Sequence, residues 1–252
     1  NAKDRHAESF LNIIFNPYSM SKNALDIAKY LIANGADINA LNYRGYTPLL
    51  GAIDNYVCVI DKNKNIDIVK FLIDNGAEIN LLEVLKECSM RGIETEHESF
   101  VKNKIDVIKL LIENGAKINV ADERGMTPLL QALKIENFDI AEILLSKGAD
   151  TNVLNNWDKE SALNSAASRG YKNIVELLIN HGGKITVTNT NKSGYTLLHS
   201  AAMSDSVETV EYLLSLGTDI NVQHEYGSTP LSLAIRSYES YINIHTAKDS
   251  SS

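Results

Sequence analysis

The six histidines at positions 6, 97, 181, 199, 224 and 245, with the two cysteines Cys58 and Cys88, are the obvious candidates for metal ligands, bases or nucleophiles. No His-x-x-x-His or Cys-x-x-Cys spacing brings two of them onto one ion. The densest titratable cluster is Glu94, Glu96 and Glu98 around His97. Alternating carboxylates of this kind can take a divalent cation, but a solvated loop is the plainer account. Gly182-Gly183 is not a phosphate-cradling loop, since no Gly-x-x-x-x-Gly-Lys follows a strand. A nucleophile, base and acid could be assembled only from distant segments, with no local signature. The expectation is therefore no catalytic residue, no metal and no cofactor. Two free thiols in a reducing compartment are expected of the cysteines, with a Cys58–Cys88 disulfide as the alternative.

Composition narrows the partners further. Of the 252 residues 44% are hydrophobic, enough for a continuous core. A formal net charge of −8 argues against a nucleic-acid or anionic membrane surface, since either needs clustered Lys and Arg. No run approaches the roughly 18 apolar residues of a membrane span, and the first residues lack a signal-peptide pattern. A cytoplasmic protein is expected, in its own cell or in a host cytosol.

The positioning elements emerge from internal repetition. Asn-Gly-Ala-acid-Ile-Asn ends at Asn39 and Asn80, varies to end at Asn119, and degrades around Asn152 and Asn221. Its glycines are Gly35, Gly76, Gly115, Gly148, Gly182 and Gly217, spaced 41, 39, 33, 34 and 35 residues apart. A second phrase, Thr-Pro-Leu-Leu or a relative, starts at Thr47, Thr127, Ser161, Thr196 and Thr229. Two phrases sharing one period mark a repeat architecture. Thr followed by Pro reads as a helix start, the hydroxyl capping free N–H groups where proline's missing donor costs nothing. Leu49, Leu50, Ala52 and Ile53 then keep helical spacing. A second helix such as Ile66 to Ile73 ends at Asn75-Gly76, and the polar stretch from Asn39 to Thr47 reads as a hairpin.

Helix, turn, helix and projecting hairpin in a unit of about 33 residues resembles the ankyrin repeat family, through its TPLHxAA and GADxN phrases, from Asn1 to about Ser237. The resemblance implies an all-α solenoid of about seven repeats. These fall at approximately 1–38, 39–79, 80–118, 119–151, 152–185, 186–220 and, incomplete, 221–237. Residues 238–252 are then a C-terminal cap or a disordered tail. It also implies a concave face of hairpins and first helices that binds another protein, and for His199 a structural hydrogen bond to neighbouring hairpins. Leu50, Leu130 and Asn164 stand at that place in other repeats.

The pattern departs in places. From helix start to closing glycine, 21 residues separate Thr127, Ser161 and Thr196 from their glycines, against 26 for Ser9 and 29 for Thr47. The surplus is expected near Asn16 to Asn23 and Val57 to Asn65. In the third repeat Leu81 follows Asn80 at once, so its hairpin is missing, and a long polar loop is expected over Arg91 to Asn103. The chain opens within a hairpin and lacks an initiator Met, as an excised piece of a longer ankyrin protein would. Its Asn/Ile-rich style is similar to ankyrin proteins of intracellular bacteria, viruses and protists, some of them host-interaction effectors.

The resemblance further implies that loop positions four, three and one before each helix start face outward. In this sequence they are Arg5, His6, Glu8, Tyr43, Arg44, Tyr46, Glu123, Arg124, Met126, Trp157, Asp158, Glu160, Lys192, Ser193, Tyr195, Glu225, Tyr226 and Ser228. Five of these 18 are aromatic against 7% of the chain, which singles the loops out as a contact surface. Tyr43, Arg44, Tyr46, Arg124, Met126, Trp157, Asp158, Tyr195 and Tyr226 are the expected partner-binding residues. For the tyrosines, packing across neighbouring hairpins is the competing account. The expected function is non-covalent protein recognition by a monomer. The alternatives are a targeting arm of an enzyme encoded outside the segment, or a spacer or self-associating scaffold.

Overall fold

The computed structural model describes residues 23–42, 44–58, 66–90, 98–185, 191 and 193–249. Among them the secondary structure is entirely helical: twelve α-helices and no strand. The chain divides into two compact units, Asn1–Lys117 and Ile118–Ser252.

In the first unit the helices are α1 (Ala24–Ala33), α2 (Pro48–Cys58), α3 (Asp67–Asp74), α4 (Leu81–Met90) and α5 (Glu98–Glu113). Helix α2 packs against α3, α4 and α5, burying Leu49, Ile53, Leu72, Leu85 and Leu111. Two loop expectations change here. Val57 is buried within α2, so the first helix runs on into the supposed surplus. Glu98–Asn103, expected in a polar loop, form the opening turns of α5. Polarity misled because residues 98–104 contain no Gly or Pro, and Val101, Ile105 and Ile108 keep helical spacing in the sequence. The expected loop segments 16–22, 59–65 and 91–97, including Glu94, Glu96 and His97, lie outside the described residues, as do the side chains of Glu98, Cys58 and Cys88.

The second unit contains α6 (Pro128–Lys134), α7 (Phe138–Ser146), α8 (Ala162–Ser168), α9 (Lys172–Asn180), α10 (Leu197–Ala202), α11 (Val207–Ser215) and α12 (Pro230–Asp249). First helices α6, α8, α10 and α12 pack in sequence, and second helices α7, α9 and α11 form a parallel row behind them. Every first helix but the last buries a small residue at the same place, Ala132, Ala166 and Ala201, which lets neighbouring backbones approach. Leu144, Leu178 and Leu213 fill the space between the rows.

Both repeat phrases have visible jobs. The Thr127 and Ser161 hydroxyl oxygens accept from the Leu130 and Asn164 N–H groups, at 3.3 and 3.1 Å, capping α6 and α8. The last residue of the first phrase, the Asn of Gly-Ala-acid-Ile-Asn, ties repeats together. Asn152 Oδ1 accepts from the Lys184 N–H at 3.0 Å while its Nδ2 donates to the Gly182 carbonyl at 3.1 Å. Asn119 does the same to Asp150 and Gly148, and Asn39 accepts from Glu78. At Asn80 no hairpin follows, and its Oδ1 instead accepts from the Glu83 N–H to cap α4.

Candidate functional site

Among the described residues, four hairpins are closed by a pair of backbone hydrogen bonds, as in Asp122 N–H to the Met126 carbonyl and Gly125 N–H to the Asp122 carbonyl, and each is organised by one acceptor side chain at its base. Asn42 Oδ1 takes the Arg44 and Tyr46 N–H groups at 2.8 and 2.9 Å. In the second unit Asp122 takes Arg124 and Met126, both at 2.9 Å, and Asn191 takes Ser193 and Tyr195 at 2.9 and 3.2 Å. His224 substitutes a ring nitrogen, Nδ1 accepting from the Tyr226 N–H at 2.9 Å. With its N–H tied inward, the residue two beyond the acceptor presents its side chain to solvent. The sequence reading missed these acceptors. Their signal is an Asn, Asp or His five residues before the helix start.

The Asn155 loop breaks that count by one. Asn155 closes onto the Glu160 carbonyl, one residue wider than Asp122 onto Met126, and the extra residue sits at Lys159 with φ +56°. Asn155 Oδ1 takes the Trp157 and Asp158 N–H groups. Counting back from Ser161 pairs Trp157 with Glu123, whereas geometry pairs it with Arg124. The outward row of the second unit is therefore Arg124, Trp157, Ser193 and Tyr226, all exposed.

Trp157 is 78% exposed and Tyr226 82%, the most solvent-exposed large hydrophobic side chains among the described residues. Trp157 is nonetheless on a fixed loop. The Asn156 N–H donates to the Arg124 carbonyl at 2.8 Å, and Asn156 Nδ2 donates to the Glu123 carbonyl at 3.2 Å. Asp158, half-buried, accepts from the Glu160 N–H at 3.1 Å. Burial and then the Asp158 charge hold the Glu160 carboxyl above the usual glutamate range, against the opposing pull of Arg169 and Ser165. Arg169 is itself bonded to the Ser165 carbonyl and lies 4.0 Å from Glu136.

Other expected contact residues turn inward. Tyr46 is half-buried and its hydroxyl donates to Glu87. Tyr195 stacks on His199 and His224, at 5.9 and 5.1 Å between centroids, and its hydroxyl accepts from Arg236. Met126 is half-buried, and Arg44 and Arg124 are exposed. Tyr43 lies outside the described residues, as do Arg5, His6, Glu8 and Lys192. Among the described residues no group of three or more His, Cys, Asp or Glu could hold a metal ion, and no helix is long and apolar enough to cross a membrane.

Stacked helix pairs with tied hairpin loops define an ankyrin-repeat protein, and comparison with known families agrees. The model for ankyrin repeats (3 copies) matches residues 12–83, 58–155, 97–189, 148–224 and 187–245, so the chain belongs to the ankyrin repeat family. It is 26% identical over 219 residues, 86% of this chain and 33% of the relative, to the putative ankyrin repeat protein FPV022 of fowlpox virus (strain NVSL). It is 32% identical over 100 residues, 39% of the chain and 10% of the relative, to the nuclear factor NF-kappa-B p105 subunit of Rattus norvegicus. It is also 38% identical over 118 residues, 46% of the chain and 12% of the relative, to the transient receptor potential channel pyrexia of Drosophila melanogaster. The chain thus spans a third or less of each relative's length. Ankyrin repeats are generally protein–protein interaction modules and typically non-catalytic.

Proposed function

We propose that this chain is a non-catalytic recognition module that holds another protein along the hairpin edge of its second unit, through Arg124, Trp157 and Tyr226. The observation that carries this reading is the exposure of the two rings on loops whose backbones are fixed. Large aromatic groups presented to water on rigid supports bury much area at small entropic cost, the usual property of interface anchors. Met126, Asp158, Ser193 and the half-buried Tyr195 line the same edge. Arg44 and Tyr46 occupy the corresponding edge of the first unit. The module acts as a monomer in a cytoplasm, its own or a host's.

The test is capture of a partner from cell or host extract, followed by affinity measurement on the same variants. Trp157→Ala weakens binding by about 2 kcal/mol, roughly thirtyfold, with an unchanged melting temperature. A lowered melting temperature with unchanged affinity assigns Trp157 to packing instead. One observation favours a second reading, a self-associating scaffold. Leu231 and Ile235 are 70% and 52% exposed on α12, at the positions where Leu129 and Leu133 are buried in α6. A mass by light scattering that rises with concentration, and falls back in Leu231→Ser, supports it.

A further inference from the structure

Among the described residues Asn42, Asp122, Asn155 and Asn191 each hold a hairpin tip with a side-chain oxygen. The Tyr226 hairpin uses a ring nitrogen instead, His224 Nδ1 accepting from the Tyr226 N–H at 2.9 Å. A backbone N–H can only donate, so this contact fixes the ring as the neutral Nε2–H tautomer. The exchange of oxygen for nitrogen changes how the tip responds to acid. Amide and ionised carboxylate oxygens go on accepting between pH 5.5 and 7.5, since an ordinary aspartate titrates near about 3.9. Histidine is the side chain whose ordinary titration falls within that interval. A proton on Nδ1 turns the acceptor into a second donor facing the Tyr226 N–H, and the bond is lost.

The surroundings of the ring allow that proton. His224 lies 5.1 Å from the Tyr195 ring and 5.6 Å from the His199 ring, stacked on both, with the Tyr226 ring edge-on at 5.6 Å. His199 faces it from α10; burial pushes the His199 pKa down, so that ring stays neutral and sets no like charge against His224. The remaining charged groups of the stack are Glu225 and Arg236. The Glu225 carboxylate, on the same loop, lies against Gly194, and Arg236 of α12 is bonded to the Tyr195 hydroxyl. The backbone closures of the hairpin do not use the ring. The His224 N–H donates to the Ser228 carbonyl at 3.1 Å, and the Gly227 N–H to the His224 carbonyl at 2.8 Å. Protonation therefore leaves the hairpin closed and frees the tip amide, on the residue whose ring is 82% exposed.

We propose that His224 is a pH-sensitive latch on the Tyr226 hairpin: the neutral ring fixes the tip for contact, and a proton on Nδ1 releases it. The consequence for binding rests on the hairpin edge being the partner surface. Contacts made through Tyr226 then weaken in mild acid, while those made through Trp157, held by the Asn155 oxygen, do not.

Water-exchange NMR on the whole chain at pH 7.5 and 5.5 reads the protection of the Tyr226 amide. The Arg124 and Ser193 amides, held at equivalent tips by Asp122 and Asn191, are the internal controls. The expected result is a fall at Tyr226 of about fivefold at the lower pH, beyond the intrinsic pH dependence, the weight of one hydrogen bond. The two controls keep their protection. His224→Asn, which installs the acceptor type used at Asn191, removes the fall. Should that variant fold poorly, the nitrogen signal of His224 Nδ1 in the unaltered chain decides, moving from acceptor to protonated in step with Tyr226 protection. Unchanged protection at Tyr226, an equal fall at all three tips, a fall that persists in His224→Asn, or an Nδ1 signal out of step with Tyr226 overturns the latch. An extract-derived partner that depends on Tyr226 is expected to bind about fivefold more weakly at pH 5.5, and equally at both pH values in His224→Asn. Affinity indifferent to pH in the unaltered chain overturns the link between latch and binding. If the NMR result holds while no partner depends on Tyr226 or Trp157, the latch stands and the hairpin-edge reading falls.

Discussion

His199 Nε2 donates to the Ser228 carbonyl oxygen at 3.0 Å, linking α10 to the hairpin 29 residues further on. Its Nδ1 accepts from the Thr196 N–H at 3.2 Å, so the ring is held as the neutral Nε2–H tautomer. It is fully buried, and its face lies 5.6 Å from that of His224, whose Nδ1 is likewise occupied by the Tyr226 N–H. Burial lowers the His199 pKa from about 6.5; the Ser228 bond opposes that and the His224 charge adds to it. A base with a depressed folded pKa contributes stability that is fully present above its unfolded value. That contribution is lost as pH falls below it, because the unfolded chain then binds more protons.

The expected outcome is a melting temperature lower at pH 5.5 than at pH 7.5. His199→Leu, which copies Leu50 and Leu130 of other repeats, flattens the difference. An undiminished slope in that variant would assign the titration to another group.

Asn164 occupies the same place in α8, and there the phrase fails. Its backbone N–H is capped by Ser161, but neither side-chain polar atom has a hydrogen-bonding partner at 2% exposure. The amide is too short to bridge to the next hairpin as His199 does. A buried unsatisfied polar group costs about 1–3 kcal/mol. Asn164→Leu is therefore expected to raise unfolding free energy by about 1–2 kcal/mol in urea titrations, a volume-matched removal of that penalty. Destabilisation by the same amount would show that the amide is satisfied in solution.

Most of the architecture could be read from the sequence because the repeat repeats its physics. A capping hydroxyl, a following Leu-Leu or Leu-His and a closing glycine each recur where a helix must begin, pack or end. Only chain-distant consequences were hidden. Thr47 announced α2, but the length of α2 through Val57 depended on burial that local polarity does not reveal. The same holds for Glu98–Asn103 in α5. At the edge, Trp157 was identifiable as a lone aromatic in a polar loop. The one-residue widening at Lys159 was not, because only the Asn155–Glu160 closure sets that register. Tyr195 looked like an outward ring, and its partners His199 and His224 arrive from later in the chain.

Repeat phase also separates buried leucines from bare ones. Leu178 is fully buried between α9 and its neighbours, and Leu178→Ala is expected to cost about 2–5 kcal/mol. Leu231 lies two residues beyond its helix start, as buried Leu129 and Leu163 do, yet it faces solvent. Leu231→Ala is expected to change stability by under about 0.5 kcal/mol in this chain. A large loss at Leu231 in equilibrium unfolding would mean that its face is covered in solution.

Two glycines test how the tip of Trp157 is held. Gly115 closes α5 at φ +84° in open space, so Gly115→Ala meets only the strain of a left-handed backbone, about 1 kcal/mol. Gly125 is also left-handed, at φ +71°, but a Cβ there would stand 2.9 Å from the Asn156 nitrogen and 3.1 Å from the Asn155 Cα. Those are backbone atoms of the neighbouring hairpin, and the Asn156 N–H is the donor to the Arg124 carbonyl. Relief requires the two loops to part, which breaks that bond and shifts Trp157. Gly125→Ala is thus expected to cost more than Gly115→Ala, roughly 2–3 kcal/mol. It should also lower the emission anisotropy of Trp157 without touching the ring, and weaken whatever binds there. Equal destabilisation by the two substitutions, with unchanged Trp157 anisotropy in Gly125→Ala, would show that the hairpins are not locked together at this point.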